Sequence, residues 1–316
     1  MIKQFLCATI LLAFLAACNQ KEEQAKTPKQ YSIEQLYNNI GINASAYNKD
    51  ETGVLIDNNK TGIFNVYELS IGDTTIHPLT ASAKESFFSV DYLPGSDKFI
   101  YSADQGGNEN THLYLKSKTD TVAKDLTPWP NSANSAVGWS DDKKSLYVSS
   151  NKRNPQFFDI WKLDYATWAA TLLYQNDSGL DVSNFSKSER YLALTKSVTT
   201  DKNELYLYDR STKNMKRLSN NNEAIWNALA FEKNDSILYY STNDGNEFSY
   251  IIKYNINTGK ADKFYEDKWD VTSMILSENE KYHTIFINED GKNKVLLYDH
   301  ATNQRLHFPT LATGMC

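Results

Sequence analysis

Apolar and polar positions along the chain fall into a pattern that repeats six times. Each copy sets an apolar residue before a short polar turn, and the turn leads into a β-rich run. The apolar anchors are Tyr47, Tyr92, Trp139, Phe185, Phe231 and Leu276, spaced 45, 47, 46, 46 and 45 residues apart. The copies read YLPGSDKFIY, WSDDKKSLYV, FSKSERYLAL, FEKNDSILYY and LSENEKYHTI, with a weaker first copy, YNKDETGVLI. A second set of positions, Tyr67, Tyr114, Trp161, Tyr206, Ile252 and Leu296, keeps step with the first. A period of about 40–50 residues with strand chemistry is the signature of a β-propeller, one four-stranded blade per repeat. The chain therefore reads as all-β, with six repeats visible as part of a seven- or eight-bladed ring.

The third repeat shows the plan. An inner strand ends at Trp139, the turn SDDKK follows, and a second strand runs from Ser145 to Ser149. After a polar loop, NKRNPQ, a third strand covers Phe157 to Leu163 and a fourth ends near Tyr174. Runs such as SILYYS and ELYLYD are apolar at consecutive positions, as strands covered on both faces require. The anchors are accordingly expected to be core residues wedged between adjacent blades. Asp209, Asn255 and Asp299 open tight turns, where their side chains can cap the backbone. Before the first blade, Ser32-Ile33-Glu34-Gln35 forms a capping-box pattern, predicting a short helix over Ile33–Asn39 whose apolar residues could cover a propeller edge.

Composition sets the class. Hydrophobic residues make up 41% and charged ones 23%, an ordinary soluble balance. The net charge of −6 and the lack of a basic stripe argue against a nucleic-acid partner. Of the three cysteines, Cys7 and Cys18 are N-terminal and Cys316 is the last residue, so residues 19–315 offer no disulfide and no thiolate metal site.

The N-terminus reads as a targeting signal. Lys3 precedes an apolar run from Phe5 to Leu15, too short to span a bilayer but of secretory length. Leu15-Ala16-Ala17-Cys18 resembles a bacterial lipobox, which makes Cys18 the expected lipidation site and 1–17 the signal peptide. Residues 18–30 are then a lipidated cysteine and a flexible polar tether. Within it, Lys21-Glu22-Glu23 resembles the export signals of surface lipoproteins. The expected location is the bacterial cell envelope, anchored by lipid in the outer membrane, facing the periplasm or the surface.

Candidate chemistry is sparse. The chain contains no G-x-S-x-G elbow, no HExxH, no P-loop and no dinucleotide fingerprint. The loop Asp104-Gln-Gly-Gly-Asn-Glu109 gathers carboxylates and amides around glycine but lacks the spacing of a calcium loop, so it reads as a hairpin. Asp141 and Asp142 fall on a repeat turn. No catalytic, cofactor or metal residue is assigned.

Several segments together resemble the N-terminal propeller of prolyl oligopeptidase-like serine peptidases. They are NKTGIFNVYEL (Asn59–Leu69), YSADQGGNENTHLYL (Tyr101–Leu115), LTPW (Leu126–Trp129), Val137–Asp164 and RYLALTK (Arg190–Lys196). The resemblance covers residues 31–316. It implies a propeller that admits short peptides to a C-terminal α/β-hydrolase domain with a Ser-Asp-His triad, which is absent from this chain. In the dipeptidyl branch, propeller glutamates hold the substrate's amino terminus; neither Glu109 nor Glu247 is assigned that role. Adding the repeat interval to Leu276 puts the next anchor near position 322, so the chain is expected to stop inside a blade; the other reading is a six-bladed ring closed by residues 40–47. The alternative is a self-standing TolB-like propeller lipoprotein that binds peptides or an envelope partner.

Overall fold

The computed structural model describes residues 28–220 and 223–309. Two compact units are distinguished, one reaching Gly41 and one starting at Ile42. The first contains a single helix, α1 (Ile33–Tyr37), shorter than the sequence pattern suggests. Its capping box is complete: Ser32 Oγ accepts the Gln35 N–H at 3.2 Å, and Gln35 Oε1 accepts the Ser32 N–H at 3.0 Å. The apolar Ile33, Leu36 and Ile40 are exposed.

The second unit is built from six four-stranded antiparallel sheets arranged in a ring. Blade 1 holds β1 (Ile42–Tyr47), β2 (Gly53–Asn58), β3 (Asn65–Ser70) and β4 (Ile76–Pro78). Blade 2 holds β5 (Phe88–Tyr92), β6 (Phe99–Ala103), β7 (His112–Lys116) and β8 (Lys124–Asp125). Blade 3 holds β9 (Asn134–Trp139), β10 (Ser145–Asn154), β11 (Phe157–Asp164) and β12 (Ala170–Tyr174). Blade 4 holds β13 (Asp181–Phe185), β14 (Tyr191–Thr199), β15 (Lys202–Asp209) and β16 (Asn214–Arg217). Blade 5 holds β17 (Trp226–Phe231), β18 (Ile237–Thr242), β19 (Tyr250–Asn255) and β20 (Ala261–Tyr265). Blade 6 holds β21 (Asp270–Leu276), β22 (Tyr282–Glu289), β23 (Lys292–Asp299) and β24 (Arg305–Leu306). The fold is a six-bladed β-propeller, and a seventh or eighth blade would lie outside the described residues.

One detail differs from the sequence plan of blade 3. The segment read as a polar loop, from Asn151 on, extends β10 to Asn154, where it pairs with Phe157. Polar composition did not prevent pairing because the extension only has to reach a tight turn at its tip.

The repeat is visible in backbone detail. Every innermost strand carries a bulge: at Ser45, Val90, Val137, Ser183 and Leu229 it lies two residues before the anchor, and in blade 6, at Thr272, two residues earlier still. A bulge bends its strand and sharpens its twist, so one residue per blade re-aims the strand beside the central channel. The expected turn caps are present as well. Asp209, Asn255 and Asp299 each accept a backbone N–H at 2.9 Å, from Ser211, Thr258 and Thr302. After the fourth strands, Thr80, Thr127 and Ser219 each accept a backbone N–H of their blade's third strand, from Val66, Leu113 and Leu205.

Packing between blades supplies the core. Buried clusters join blades 1 and 2, 2 and 3, 4 and 5, and 5 and 6. Blades 3 and 4 meet through Tyr147 and Phe185, edge to face with ring centroids 4.6 Å apart. Each anchor from the second blade on packs on the preceding blade: Tyr92 and Phe231 are buried, while Trp139, Phe185 and Leu276 are half-buried. Tyr47 corrects the expectation that all six are core, since it is 63% exposed. It belongs to blade 1, whose inner strand is exposed along most of its length. The run SILYYS behaves as expected, with all of β18 buried, whereas β22 in blade 6 alternates buried and half-exposed residues.

Candidate functional site

The turn between first and second strands carries the same backbone hydrogen bond in all six blades. The N–H groups of Glu51, Ser96, Lys143, Glu189, Asp235 and Glu280 donate to the carbonyl three residues earlier, at 2.8–3.0 Å. Five of these donors have positive φ: Glu51 56°, Lys143 58°, Glu189 63°, Asp235 58° and Glu280 54°. Non-glycine residues seldom adopt that conformation, so its recurrence shows a turn geometry imposed on the side chain rather than chosen by it. These turns gather at one end of the ring.

Two residues after the anchor, the turns present Lys49, Pro94, Asp141, Lys187, Lys233 and Glu278. Five of the six are charged, and they meet. Lys49 reaches Asp97 at 3.1 Å, joining blades 1 and 2. Lys187 Nζ lies 3.7 Å from Asp141 and 3.8 Å from Glu278, and Lys233 Nζ lies 3.5 Å from Asp141. Lys143 completes the group, with its Nζ 3.1 Å from Glu278 Oε1. Lys143 is in blade 3 and Glu278 in blade 6, so this pair bridges opposite sides of the ring. The backbone N–H of Lys233 donates to Glu280, and the Ser188 hydroxyl donates to Asp235. The hydrogen bond from Lys143, aided by Lys187 and Lys233, holds the Glu278 carboxyl below its usual range against some desolvation. What this end of the ring offers is a cluster of paired charges from four blades.

The opposite end carries the loops between second and third strands. In the Asp104–Glu109 loop, Asp104 accepts the Glu109 N–H at 2.9 Å and Glu85 accepts the Gly106 N–H at 2.8 Å. Gly106 and Gly107 have φ of 65° and 72°, the left-handed region where glycine fits without strain. The Asp104 carboxylate thus serves the hairpin, and among the described residues no group of three or more His, Cys, Asp or Glu is placed to hold a metal ion. Glu109 and Glu247 are both exposed on these loops. A cavity of about 550 Å³ opens at this end between blades 2 and 3, with Ser89, Thr111, Asn134, Ser135 and Phe158 in its wall. Nearby in blade 3, Lys152 Nζ sits between two indoles, 3.4 Å from the Trp129 ring centroid and 3.6 Å from that of Trp161. Burial there lowers the Lys152 pKa, against the pull of Asp159.

Cys18, the site residue expected from the N-terminal pattern, lies outside the described residues. Asp141, read as a plain turn residue, stands in the charge cluster instead. A signal for the cluster existed in the repeat: its third position, counted from the anchor, is charged in five copies and of both signs. Which charge meets which could not be read there.

The family described as prolyl oligopeptidase, N-terminal beta-propeller domain, matches residues 77–315. The chain belongs to this family. Dipeptidyl aminopeptidase BIII of Pseudoxanthomonas mexicana is 38% identical over 100 residues, which are 31% of this chain and 14% of that protein. Prolyl oligopeptidase B from Galerina marginata, in its apo form, superposes with a TM-score of 0.60 at 16% identity, covering 85% of this chain and 43% of that one. An oligogalacturonate lyase in complex with manganese superposes with a TM-score of 0.61 at 12% identity, covering 84% of this chain and 77% of that one. At such identities the two structures share the fold alone. The chain spans less than half the length of either peptidase.

Proposed function

We propose that this chain is the substrate-gating propeller of a membrane-anchored prolyl oligopeptidase-like serine peptidase that acts on short peptides. Membership of the propeller family carries the reading, and the bridged end of the channel supports it. In this reading the hydrolytic step belongs to an α/β-hydrolase domain encoded with the propeller. There a serine hydroxyl attacks the peptide carbonyl, an imidazole takes its proton, and backbone N–H groups hold the oxyanion. The propeller restricts access: an unfolded short peptide fits a channel lined by six strand edges, and a folded protein does not. Lipid on Cys18 would hold the assembly at the bacterial outer membrane.

The test is to read the coding sequence beyond codon 316 for a G-x-S-x-G elbow followed by a histidine. Expressing that product and assaying chromogenic dipeptide and prolyl substrates should give hydrolysis that declines with peptide length. A coding sequence without the elbow would sink the peptidase reading and leave the TolB-like one, a propeller that binds peptides or an envelope partner.

A further inference from the structure

We propose that the free edge of β12 and the cavity beside it bind an extended peptide that carries a carboxylate. The site belongs to blades 3 and 4, away from the channel, and stands apart from the reading of the ring as an access filter. β12 pairs with β11 on one side and with no strand on the other. An open edge recruits another strand unless something blunts it, and short length, charge and proline are the usual means. Every other outermost strand is blunted. β4 has three residues and ends in Pro78, and β8 and β24 have two residues each, with Lys124, Asp125 and Arg305 among them. β16 carries Lys216 and Arg217, and β20 carries Asp262 and Lys263. β12 is five residues long, ATLLY, and no charged residue occurs in 165–176. Leu172 at its centre is 40% exposed.

Charge at one end of the strand says what would pair there. Leu173 and Tyr174 close β12 and also wall a cavity of about 570 Å³, together with Arg190, Tyr208 and Arg210 of blade 4. The bulge at Leu173 turns the strand at the rim of the cavity and leaves 170–172 in regular pairing. Two of the three charges in the cavity wall are already matched: Arg190 holds Asp209 at 2.7 Å, and Glu189 holds Lys162. Arg210 is the third. Its Nη1 donates to the Glu189 carbonyl at 2.7 Å, and among the described residues no carboxylate pairs with it. A guanidinium fixed by one bond keeps its other N–H groups for an oxyanion, which it takes in a fork of parallel hydrogen bonds. Backbone pairing along β12 supplies affinity without regard to sequence, and Arg210 selects a strand with a carboxylate at that end. The C-terminus of a strand parallel to β12 meets that condition, and so does an acidic side chain on a strand of either direction.

The experiment titrates the full chain, by calorimetry at low salt, with an N-acetylated heptapeptide of alternating threonine and valine. The forms compared have a free C-terminal carboxylate, a C-terminal amide, or the amide with a glutamate at one end or the other. A carboxylate from either source is expected to tighten binding about tenfold over the plain amide, and the form that gains most shows which source the site takes. Arg210→Gln should erase that gain and leave binding of the plain amide unchanged. N-methylation of alternate peptide residues should abolish binding for one set of positions and spare it for the other, because only every second N–H of an added strand faces β12. Absence of binding, a missing carboxylate gain, a gain that survives Arg210→Gln, or indifference to which set is methylated overturns the site. Sedimentation that shows two copies of the chain joined, and separated by Leu172→Lys, overturns it too, since a second β12 would then cover the edge.

Discussion

His283 Nδ1 lies 3.2 Å from His300 Nδ1, and the two rings meet edge to face between blades 5 and 6. His283 is 1% exposed and stacks on Tyr298 with centroids 4.9 Å apart, while its Nε2 is buried without a partner. On its far side, His300 Nε2 lies 3.5 Å from Glu232, whose carboxylate also accepts the Tyr239 hydroxyl. A neutral imidazole suits this site and a charged one does not. Burial first, and the neighbouring His300 second, push the His283 pKa down to about 4, against the opposing pull of Asp299.

Acid is therefore expected to loosen the contact between blades 5 and 6. The folded-state pKa lies below the unfolded value of about 6.5, so between the two the unfolded chain binds the extra proton. Stability from this site is complete above that unfolded value and is lost as pH falls towards about 4, by roughly 1–3 kcal/mol. Thermal melts at stepped pH should show the slope, and His283→Phe should flatten it. Equal slopes in parent and variant would remove His283 as the cause.

The anchors should separate by position in the ring. Phe231→Ala, which empties a site 7% exposed in the cluster of blades 4 and 5, is expected to cost about 3–5 kcal/mol. Tyr47→Ala, at the same place in its repeat, should cost under about 1 kcal/mol because the ring is mostly in solvent. Chemical denaturation of both variants checks the contrast, and similar midpoints would contradict the difference in packing.

Removing the buried carboxylate of Asp159 should damage blade 3. Asp159 is fully buried and takes Arg153 Nε at 2.7 Å and Nη2 at 2.9 Å, as well as the backbone N–H of Asn176 at 2.8 Å. Asp159→Ala leaves those donors without their acceptor, a loss of about 3–5 kcal/mol. Arg153 also reaches Asp177 and the Asn176 carbonyl, so hydrogen exchange should rise first around the β10–β11 hairpin and β12. Unchanged exchange there would show that the pair contributes little.

Two expectations bear on the proposed function. Cys18→Ser is expected to move the protein from the membrane to the soluble fraction; membrane association that persists would end the lipid-anchor proposal. The chain by itself should not hydrolyse chromogenic peptides and should not react with serine-directed phosphonates, and a labelled serine would place catalysis in the propeller.

Local sequence determined a good deal. The period of the anchors, the consecutive apolar runs such as SILYYS, and the Asp and Asn turn caps are written into neighbouring residues. Strand pairing within a blade joins segments close in the chain, so six four-stranded sheets were legible from pattern alone. The capping box at Ser32 and Gln35 is equally local. Tertiary structure decided what lies across the ring and between blades. Lys143 and Glu278 meet although 135 residues separate them, and no local rule pairs one turn with the turn of an opposite blade. Tyr47 shares its repeat position with Phe231, yet one is exposed and the other buried. An anchor's burial depends on the blade that stands before it, and that neighbour is set by how the sheets close around the axis, not by the anchor's own strand.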